Sequence, residues 1–159
     1  MTTTNRLMAG GLSLSAAALV GLLLSEGWTP VATPPVQGDV PTVGFGTTTH
    51  ADGTPVKAGE KIAPPQAVER ALQDVQRFEG AIKRCVKVPL HQREHDAYVL
   101  LAYNIGESAF CNSTLVKKLN AGDYAGACRE IKRWDKFQGK PLRGLTLRRE
   151  REYRMCMGE

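Results

Sequence analysis

Two carboxylates near the start of the chain, Glu26 and Asp39, lie at either end of a proline-rich stretch and could act as a pair. Thr29-Pro30 and Pro34-Pro35 interrupt helix and strand, so the chain between the carboxylates must turn back. Hydrolysis of a glycosidic bond needs such a pair: one carboxyl protonates the leaving oxygen, and the other orients water or stabilises an oxocarbenium-like centre. Most acidic pairs are solvated surface groups, so the spacing alone does not establish a site.

The element that carries Glu26 is an uncharged run from Leu7 to Leu24, preceded by Arg6. As a helix the run would be about 27 Å long, close to the ~30 Å hydrocarbon core of a bilayer. Its many Gly, Ser and Ala residues make it only weakly hydrophobic. Because no small-x-small cleavage site follows it, a retained membrane segment is favoured over a cleaved signal peptide or a buried cytosolic helix.

The composition is that of one globular domain. The chain has 159 residues, of which 42% are hydrophobic and 23% charged, with a net charge of +5. This length allows a single core. A basic surface suits an anionic polymer such as cell-wall material or nucleic acid, although a merely solvated basic surface explains the charge equally well.

The four cysteines all follow the uncharged run, and none of their spacings is C-x-x-C, which argues against a zinc or thioredoxin-like site. In an exported domain an even count indicates two disulfides, with three possible pairings. Four free core cysteines are the alternative for a cytosolic protein. The residues concerned are Cys85, Cys111, Cys128 and Cys156.

A small β lobe is predicted around residues 40–57, where the sequence is β-branched and punctuated by glycine, with a turn at Asp52-Gly53. The rest is predicted to be helical, with helices opening at Pro64-Pro65, running from His91 to Ile105, and beginning again at Thr146. Ser113 and Asp123 are expected to cap two further helices. The first helix has an apolar stripe and the last has arginines expected to face mostly outward: Val68, Ala71, Leu72, Val75, Phe78 and Ile82, then Arg148, Arg149, Arg151 and Arg154.

A second motif, His91-Gln92-Arg93-Glu94-His95, fits the H-x-x-E-H pattern of inverted zinc peptidases. Five-residue motifs recur by chance, and His91 begins its helix beside Pro89. We therefore expect no zinc-peptidase site here, with stoichiometric zinc and chelator-sensitive activity as the contrary result.

Four blocks of the sequence carry a resemblance: SEGW, GDVPTVGFGTT, LLAYNIGESAFCNSTLVKKLNAGDYAGACREIKRW and GKPLRGLTLRREREY. Together they resemble the phage-type lysozymes, glycoside hydrolase family 24, and more narrowly the endolysins with a signal-arrest-release N-terminus. The resemblance implies an α+β, two-lobed, mainly helical fold with a small N-terminal β-hairpin lobe and a glycan cleft between lobes. The implied reaction is hydrolysis of the β-1,4 bond between N-acetylmuramic acid and N-acetylglucosamine in peptidoglycan. No metal or organic cofactor is implied.

The resemblance also implies roles for individual residues. Glu26 matches the family's general acid, and Thr42 matches the threonine whose hydroxyl helps to hold the water. The aspartate departs from the family spacing, which falls on Pro35 or Val36, so Asp39 is expected to supply the second carboxylate from a lengthened loop. The alternative for Asp39 is a turn with Gly38 only.

Three further residues match positions that line the family's glycan cleft, Tyr103, Asn104 and Ser113, and Thr48 lies near the same cleft by its register with Thr42. The three matched residues have structural alternatives, as a core ring (Tyr103), a helix-end group (Asn104) and an N-cap (Ser113). The resemblance pairs Cys85 with Cys111, and Cys128 with Cys156.

Residues 1–25 are interpreted as a signal-arrest-release segment that also supplies the first helix, and residues 26–159 as the muramidase domain. The segment would hold the protein in the host inner membrane, uncleaved, until release into the periplasm. The expected partners are peptidoglycan glycan strands and, before release, the bacterial inner membrane; we expect a monomer that binds no nucleic acid.

Two other functions share these features. A lytic transglycosylase needs one acid and no second carboxylate, and it leaves a 1,6-anhydro end instead of a reducing end. A membrane-tethered peptidoglycan-binding module without catalysis would sediment with cell walls but would not clear them.

Overall fold

The computed structural model describes residues 5–35 and 37–159. Contacts between residues divide the chain into two units. One unit is Ala16–Arg77, and the other is Phe78–Glu159 together with the described part of Met1–Ser15.

The first unit holds the helix α1 (Ala16–Glu26), the strands β1 (Thr29–Thr33) and β2 (Thr42–Gly44), and the first part of the helix α2 (Pro64–Cys85). The two strands pair antiparallel, with Thr29 opposite Gly44 and an irregularity before the next pair. Three buried aliphatic side chains and one half-buried neighbour form the core of this lobe: Ala32, Val43, Val56 and Ile62.

The expectation that Thr29-Pro30 would interrupt strand structure is wrong, because β1 contains both residues. Pro30 is tolerated since it contributes only an acceptor: its carbonyl receives the Ile62 N–H at 3.1 Å. Proline occurs in small sheets at positions where no ladder donor is required.

The predicted turn at Asp52-Gly53 is confirmed. The His50 N–H donates to the Thr54 carbonyl at 2.7 Å and the Val56 N–H to the Thr48 carbonyl at 2.9 Å, which closes a hairpin around the turn. Gly53 has φ of 84°, a conformation that favours glycine.

The helix predicted to open at Pro64-Pro65 is confirmed as α2, but its buried stripe is displaced from the predicted one. Val68 and Leu72 are each 45% exposed. Both lie one position around the helix from the residues that are buried, so they flank the stripe. The buried residues of the helix are Ala67, Ala71, Val75, Phe78, Glu79, Ala81 and Ile82.

The second unit is built on the helix α3 (Gln92–Ile105), which packs against the last helix, α7 (Arg143–Met157). Ser113 and Asp123 cap helices as predicted, accepting the Val116 and Gly126 N–H groups. The remaining elements are the helices α4 (Glu107–Cys111), α5 (Thr114–Asn120) and α6 (Tyr124–Glu130), a 3₁₀ turn (Ile131–Arg133), and the short strands β3 (Lys136–Phe137) and β4 (Lys140–Pro141).

Two expectations for the last helix are wrong. It begins at Arg143 instead of Thr146, whose hydroxyl donates to the Leu142 carbonyl inside the helix. Arg149, expected to face outward, is only 1% exposed. Its burial is possible because Asn104 and Glu152 accept hydrogen bonds from its guanidinium.

Both expected disulfides, Cys85–Cys111 and Cys128–Cys156, are present. The uncharged run is not one helix: a 3₁₀ turn occupies Ala9–Gly11, and α1 begins only at Ala16. Within residues 5–35 and 37–159, no helix has both the length and the apolar character to cross a membrane. The described chain is mostly helical with two small antiparallel sheets, which confirms the predicted fold class.

Candidate active site

Glu26 is the last residue of α1 and is half-buried. The helix stops there because Gly27 adopts φ of 72°, and its N–H closes the final turn on the Leu23 carbonyl at 3.2 Å. Leu22 and Ala18, which are buried, fix the rotation of α1 in the first unit. The helix end therefore gives Glu26 a defined position, and the carboxylate oxygen Oε1 is fully buried.

The other carboxylate oxygen of Glu26 lies against Gly46. A Cβ atom built on Gly46 would be 2.9 Å from Glu26 Oε2. Gly46 has φ of 84° and lies in the tight turn that Val43 and Thr47 close, with the Val43 N–H donating at 3.0 Å and the Thr47 N–H at 3.1 Å. The glycine thus allows the backbone to approach the carboxylate.

Two aromatic rings lie beside these residues in the sequence and contact each other. The Trp28 and Phe45 ring centroids are 5.6 Å apart with a tilt of 52°. Trp28 remains 40% exposed, so one face of the indole is open to solvent. The pair links the residue before β1 to the turn that contains Gly46.

Thr42 begins β2, and its hydroxyl donates a long hydrogen bond of 3.4 Å to the Thr33 carbonyl. Asp39 is exposed in the connection between β1 and β2, where its carboxylate accepts the Val40 N–H at 2.8 Å. Of the two positions given by the family spacing, Pro35 is an exposed bend and Val36 lies outside the described residues. The loop therefore still carries one exposed carboxylate, that of Asp39.

Sequence reasoning missed the contacts that hold the β lobe to α2. The buried Thr47 donates to Asp74 at 2.8 Å, and Thr49 accepts from Arg70 at its carbonyl and from Arg77 at its hydroxyl. Asp74 lies on the edge of the buried stripe of α2, and this position was the feature of the sequence that could have indicated the contact with Thr47. Thr48, between the two held residues, is half-buried.

The second unit contains the other three residues expected to contact the glycan. The Tyr103 ring is half-buried and packs on Phe78 with centroids 5.3 Å apart. Asn104 is exposed, and its Oδ1 accepts the Arg149 Nη1–H at 2.9 Å. Ser113 is 9% exposed, with its hydroxyl donating to the Phe110 carbonyl at 2.6 Å.

Arg149 and Glu152 form a buried pair behind Asn104. Glu152 accepts from Arg149 Nη2 at 2.8 Å and from Arg148 Nε at 3.3 Å. Burial raises the pKa of Glu152 above its ordinary value, and the two arginines oppose that shift without cancelling it. The pair fixes the acceptor side of Asn104, which leaves the amide N–H₂ as the group it can present elsewhere.

The H-x-x-E-H residues are used structurally. Glu94 accepts the His91 N–H at 2.8 Å, which caps α3, and it also pairs with Arg6 at 2.8 Å. His95 is completely buried. Among the residues that the structure describes, no group of three or more His, Cys, Asp and Glu side chains could hold a metal ion.

Comparisons with known proteins agree along most of the chain. The phage lysozyme family model matches residues 24–152. The endolysin of Salmonella phage P22 is 40% identical over 113 residues, 71% of this chain and 77% of that protein. The SAR-endolysin of Pseudomonas phage phiKMV is 35% identical over 146 residues, 89% of this chain and 87% of that protein. The solved endolysin from Escherichia coli O157:H7 phage FAHEc1 has a TM-score of 0.79 and 36% identity, covering 93% of this chain and 95% of that one.

Proposed function

This chain belongs to the phage lysozyme family, and from that premise we propose that Glu26 is the proton donor of its active site. The protein is a lytic endolysin, a glycoside hydrolase that cleaves the β-1,4 bond between N-acetylmuramic acid and N-acetylglucosamine in peptidoglycan. The proposal concerns which side chains perform the reaction and how the protein reaches its substrate.

The approach of Glu26 Oε2 to Gly46 is the observation that carries the assignment. A general acid must hold its proton within hydrogen-bond reach of the leaving oxygen. A helix end fixes the Glu26 side chain from one side, and the glycine turn limits it from the other. This arrangement restricts the carboxyl group to one small region, which favours directed proton transfer over a freely rotating surface glutamate.

Thr42 and Asp39 are assigned to the water. The long 3.4 Å bond from the Thr42 hydroxyl to a carbonyl is weak, so this group can rotate to bind a water molecule when substrate is present. Asp39 supplies the second carboxylate, which accepts the proton of that water or stabilises the positive sugar centre. Its local bond to the Val40 N–H leaves the other carboxylate oxygen available.

The glycan is proposed to contact Thr48, Tyr103, Asn104 and Ser113. Asn104 has the strongest support, since Arg149 fixes its acceptor oxygen and leaves its amide donors to meet a sugar hydroxyl or acetamide carbonyl. Ser113 has the weakest, because its hydroxyl already donates to Phe110 and accepts from Val116.

We further propose that residues 1–25 anchor the protein in the host inner membrane, uncleaved, before it is released into the periplasm, and that residues 26–159 form the muramidase domain. The uncharged run behind Arg6 and the likeness to a protein named SAR-endolysin support this route. After release the enzyme is proposed to act as a monomer on peptidoglycan, without binding nucleic acid.

Product analysis of purified peptidoglycan digested by the protein tests the reaction. A muramidase releases fragments that end in reducing N-acetylmuramic acid, and borohydride converts them to the alcohol. Fragments with 1,6-anhydro ends would identify a transglycosylase instead. Wall binding without any soluble fragment would identify a binding module.

A further inference from the structure

A cavity of about 330 Å³ lies within the first unit, between the hairpin that follows β2 and the first turns of α2. Its described lining does not include the residues proposed for catalysis, Glu26, Asp39 and Thr42. Pockets that bind small ligands have volumes of roughly 300–1,000 Å³ and combine apolar walls with a few placed polar groups. The cavity has this size, so it is a candidate for a binding site other than the catalytic one.

The inner wall of the cavity is aliphatic. It is formed by Val43 and Val56, which are 5% and 4% exposed, and by the half-buried Ile62. These side chains pack with Ala32 as the core of the β lobe. The core of the lobe therefore borders the cavity, and a small apolar group bound there would gain free energy by leaving water.

Two glutamines of α2 line the cavity with their amide groups already oriented. Gln66 Oε1 accepts the Ala63 N–H at 3.3 Å, which caps the start of α2, and Gln73 Oε1 accepts the Arg70 Nη1–H at 3.4 Å. A glutamine amide has one acceptor oxygen and two N–H donors. Because both oxygens are in use and no described residue accepts from either N–H₂ group, the two glutamines have donors left for a ligand.

The walls of the cavity are held together by hydrogen bonds. Arg70 donates from Nη2 to the Thr49 carbonyl, which ties α2 to the hairpin. His50 Nε2 lies 2.9 Å from Glu60 Oε2, and Glu60 Oε1 accepts the Lys57 N–H at 2.6 Å. These bonds form the cavity before any ligand arrives, so binding does not have to order its walls.

We propose that this cavity is a second binding site for peptidoglycan and takes a carbonyl group that carries a methyl group nearby. The methyl group packs on Val43, Val56 and Ile62, and the carbonyl oxygen accepts from Gln66 and Gln73. Peptidoglycan offers this chemistry from two sources, the N-acetyl groups of its glycan and the alanines of its stem peptides. The inference rests on the substrate of the proposed function and not on its catalytic residues.

A second site on the same polymer would strengthen attachment to the wall, since the second contact of a polymer that is already bound is intramolecular. The enzyme would then stay on the wall between one cleavage and the next. This role needs only weak binding at the cavity itself.

Nuclear magnetic resonance of the isotope-labelled full-length protein tests the site, with tri-N-acetylchitotriose and D-alanyl-D-alanine as separate probes. We expect saturable shifts of the Gln66 and Gln73 side-chain N–H₂ signals and of the Val56 and Ile62 methyl signals. Shifts with the chitotriose alone assign the cavity to N-acetyl groups, and shifts with the dipeptide alone assign it to alanine. The absence of these shifts with both probes, up to their solubility limits, would overturn the proposal.

Gln73→Glu is the decisive variant, because it keeps the acceptor that Arg70 uses but removes both N–H donors. We expect the Kd of the probe that shifts these signals to rise by roughly fivefold or more. Gln76→Glu is the matched control, since Gln76 is also an exposed glutamine of α2 but does not line the cavity. Equal affinity in the two variants, with equal unfolding in urea, would overturn the proposal.

Peptidoglycan hydrolysis by the wild-type protein is measured on the same preparation, so that the two proposals can fail separately. An active enzyme whose glutamine signals do not shift rejects the second site alone. An inactive protein whose glutamine signals shift rejects the proposed function alone.

Discussion

The Cα of Gly46 lies so close to Glu26 that a methyl group added there would be 2.9 Å from the Oε2 atom of the glutamate. The contact involves the far end of a flexible side chain, so the fold can absorb the substitution by moving the carboxylate. The active-site geometry cannot, since displacing a catalytic group by about 1 Å costs roughly 100-fold in rate.

Gly46→Ala should therefore lower the hydrolysis rate by at least roughly tenfold, with a loss of stability of only about 1 kcal/mol from the positive φ. Gly53→Ala is the matched control, because Gly53 has the same φ of 84° and no atom within 4 Å of its added methyl. Turbidity clearing and urea unfolding of both variants separate the effects. Equal activity in the two variants would show that Gly46 does not set the position of Glu26.

Asp39→Asn should reduce hydrolysis by roughly 100-fold if Asp39 is the second carboxylate. Asp52→Asn is the control, since Asp52 is also an exposed loop aspartate that accepts a neighbouring backbone N–H. Both variants should fold alike. If Asp39→Asn clears peptidoglycan near the wild-type rate, Asp39 has only a structural role in its turn.

The hydrogen bonds that Asp96 accepts from Ser15 and Gln92 should weaken in acid. Burial alone would raise the pKa of Asp96, but the neighbouring His95 ring, the Ser15 N–H and the Gln92 amide stabilise the carboxylate more, and the pKa is lowered below 3.8. Because the pKa of Asp96 is lower in the folded than in the unfolded protein, its carboxylate stabilises the fold at pH values above the unfolded pKa. This stability is lost as the pH falls through the pKa of the folded state. The Ser15 amide, which donates to Asp96, should therefore lose its protection from hydrogen exchange as the pH drops below 3.8.

Asp96→Asn keeps an acceptor but does not titrate, so the protection of its Ser15 amide should change less over the same acid range. Hydrogen exchange of the Ser15 amide, corrected for the intrinsic pH dependence, measures the difference. Parallel pH curves for Asp96→Asn and wild type would assign the acid effect to another group.

Replacing Gly10 and Gly11 by leucine should hold the exported protein in the membrane. No atom lies within 4 Å of a Cβ built on either glycine, so the folded protein tolerates larger side chains there while the apolar run becomes more hydrophobic. Gly144→Leu is the control, with equal space in α7 but outside the run. Fractionation after depolarisation provides the measurement, and release at the wild-type rate would reject the anchor.

Local rules in the sequence predicted many of the elements. Ser113 and Asp123 were recognisable as helix caps because a short acceptor side chain preceded an apolar periodic run. The pairing of Cys85 with Cys111 came from family resemblance, since four cysteines allow three pairings.

The sequence failed where tertiary contacts override local preference. Pro30 lies in a strand because only its carbonyl is needed there, as an acceptor. Arg149 is buried because Asn104, on α3, and Glu152, one turn further along α7, accept hydrogen bonds from its guanidinium. The packing of residues 6–15 was equally unpredictable, because an apolar run suited to a bilayer gives no sign that Glu79 and Asp96 accept hydrogen bonds from its backbone.

The central claim is that Glu26 protonates the leaving oxygen during peptidoglycan hydrolysis. The most direct measurement is the rate at which purified Glu26→Gln releases reducing N-acetylmuramic acid ends from peptidoglycan, with Glu69→Gln, an exposed acid on α2, as control. We predict a loss of about 1000-fold or more for Glu26→Gln with unchanged unfolding, and near wild-type release for Glu69→Gln. A folded Glu26→Gln that releases reducing ends at the wild-type rate would contradict the account.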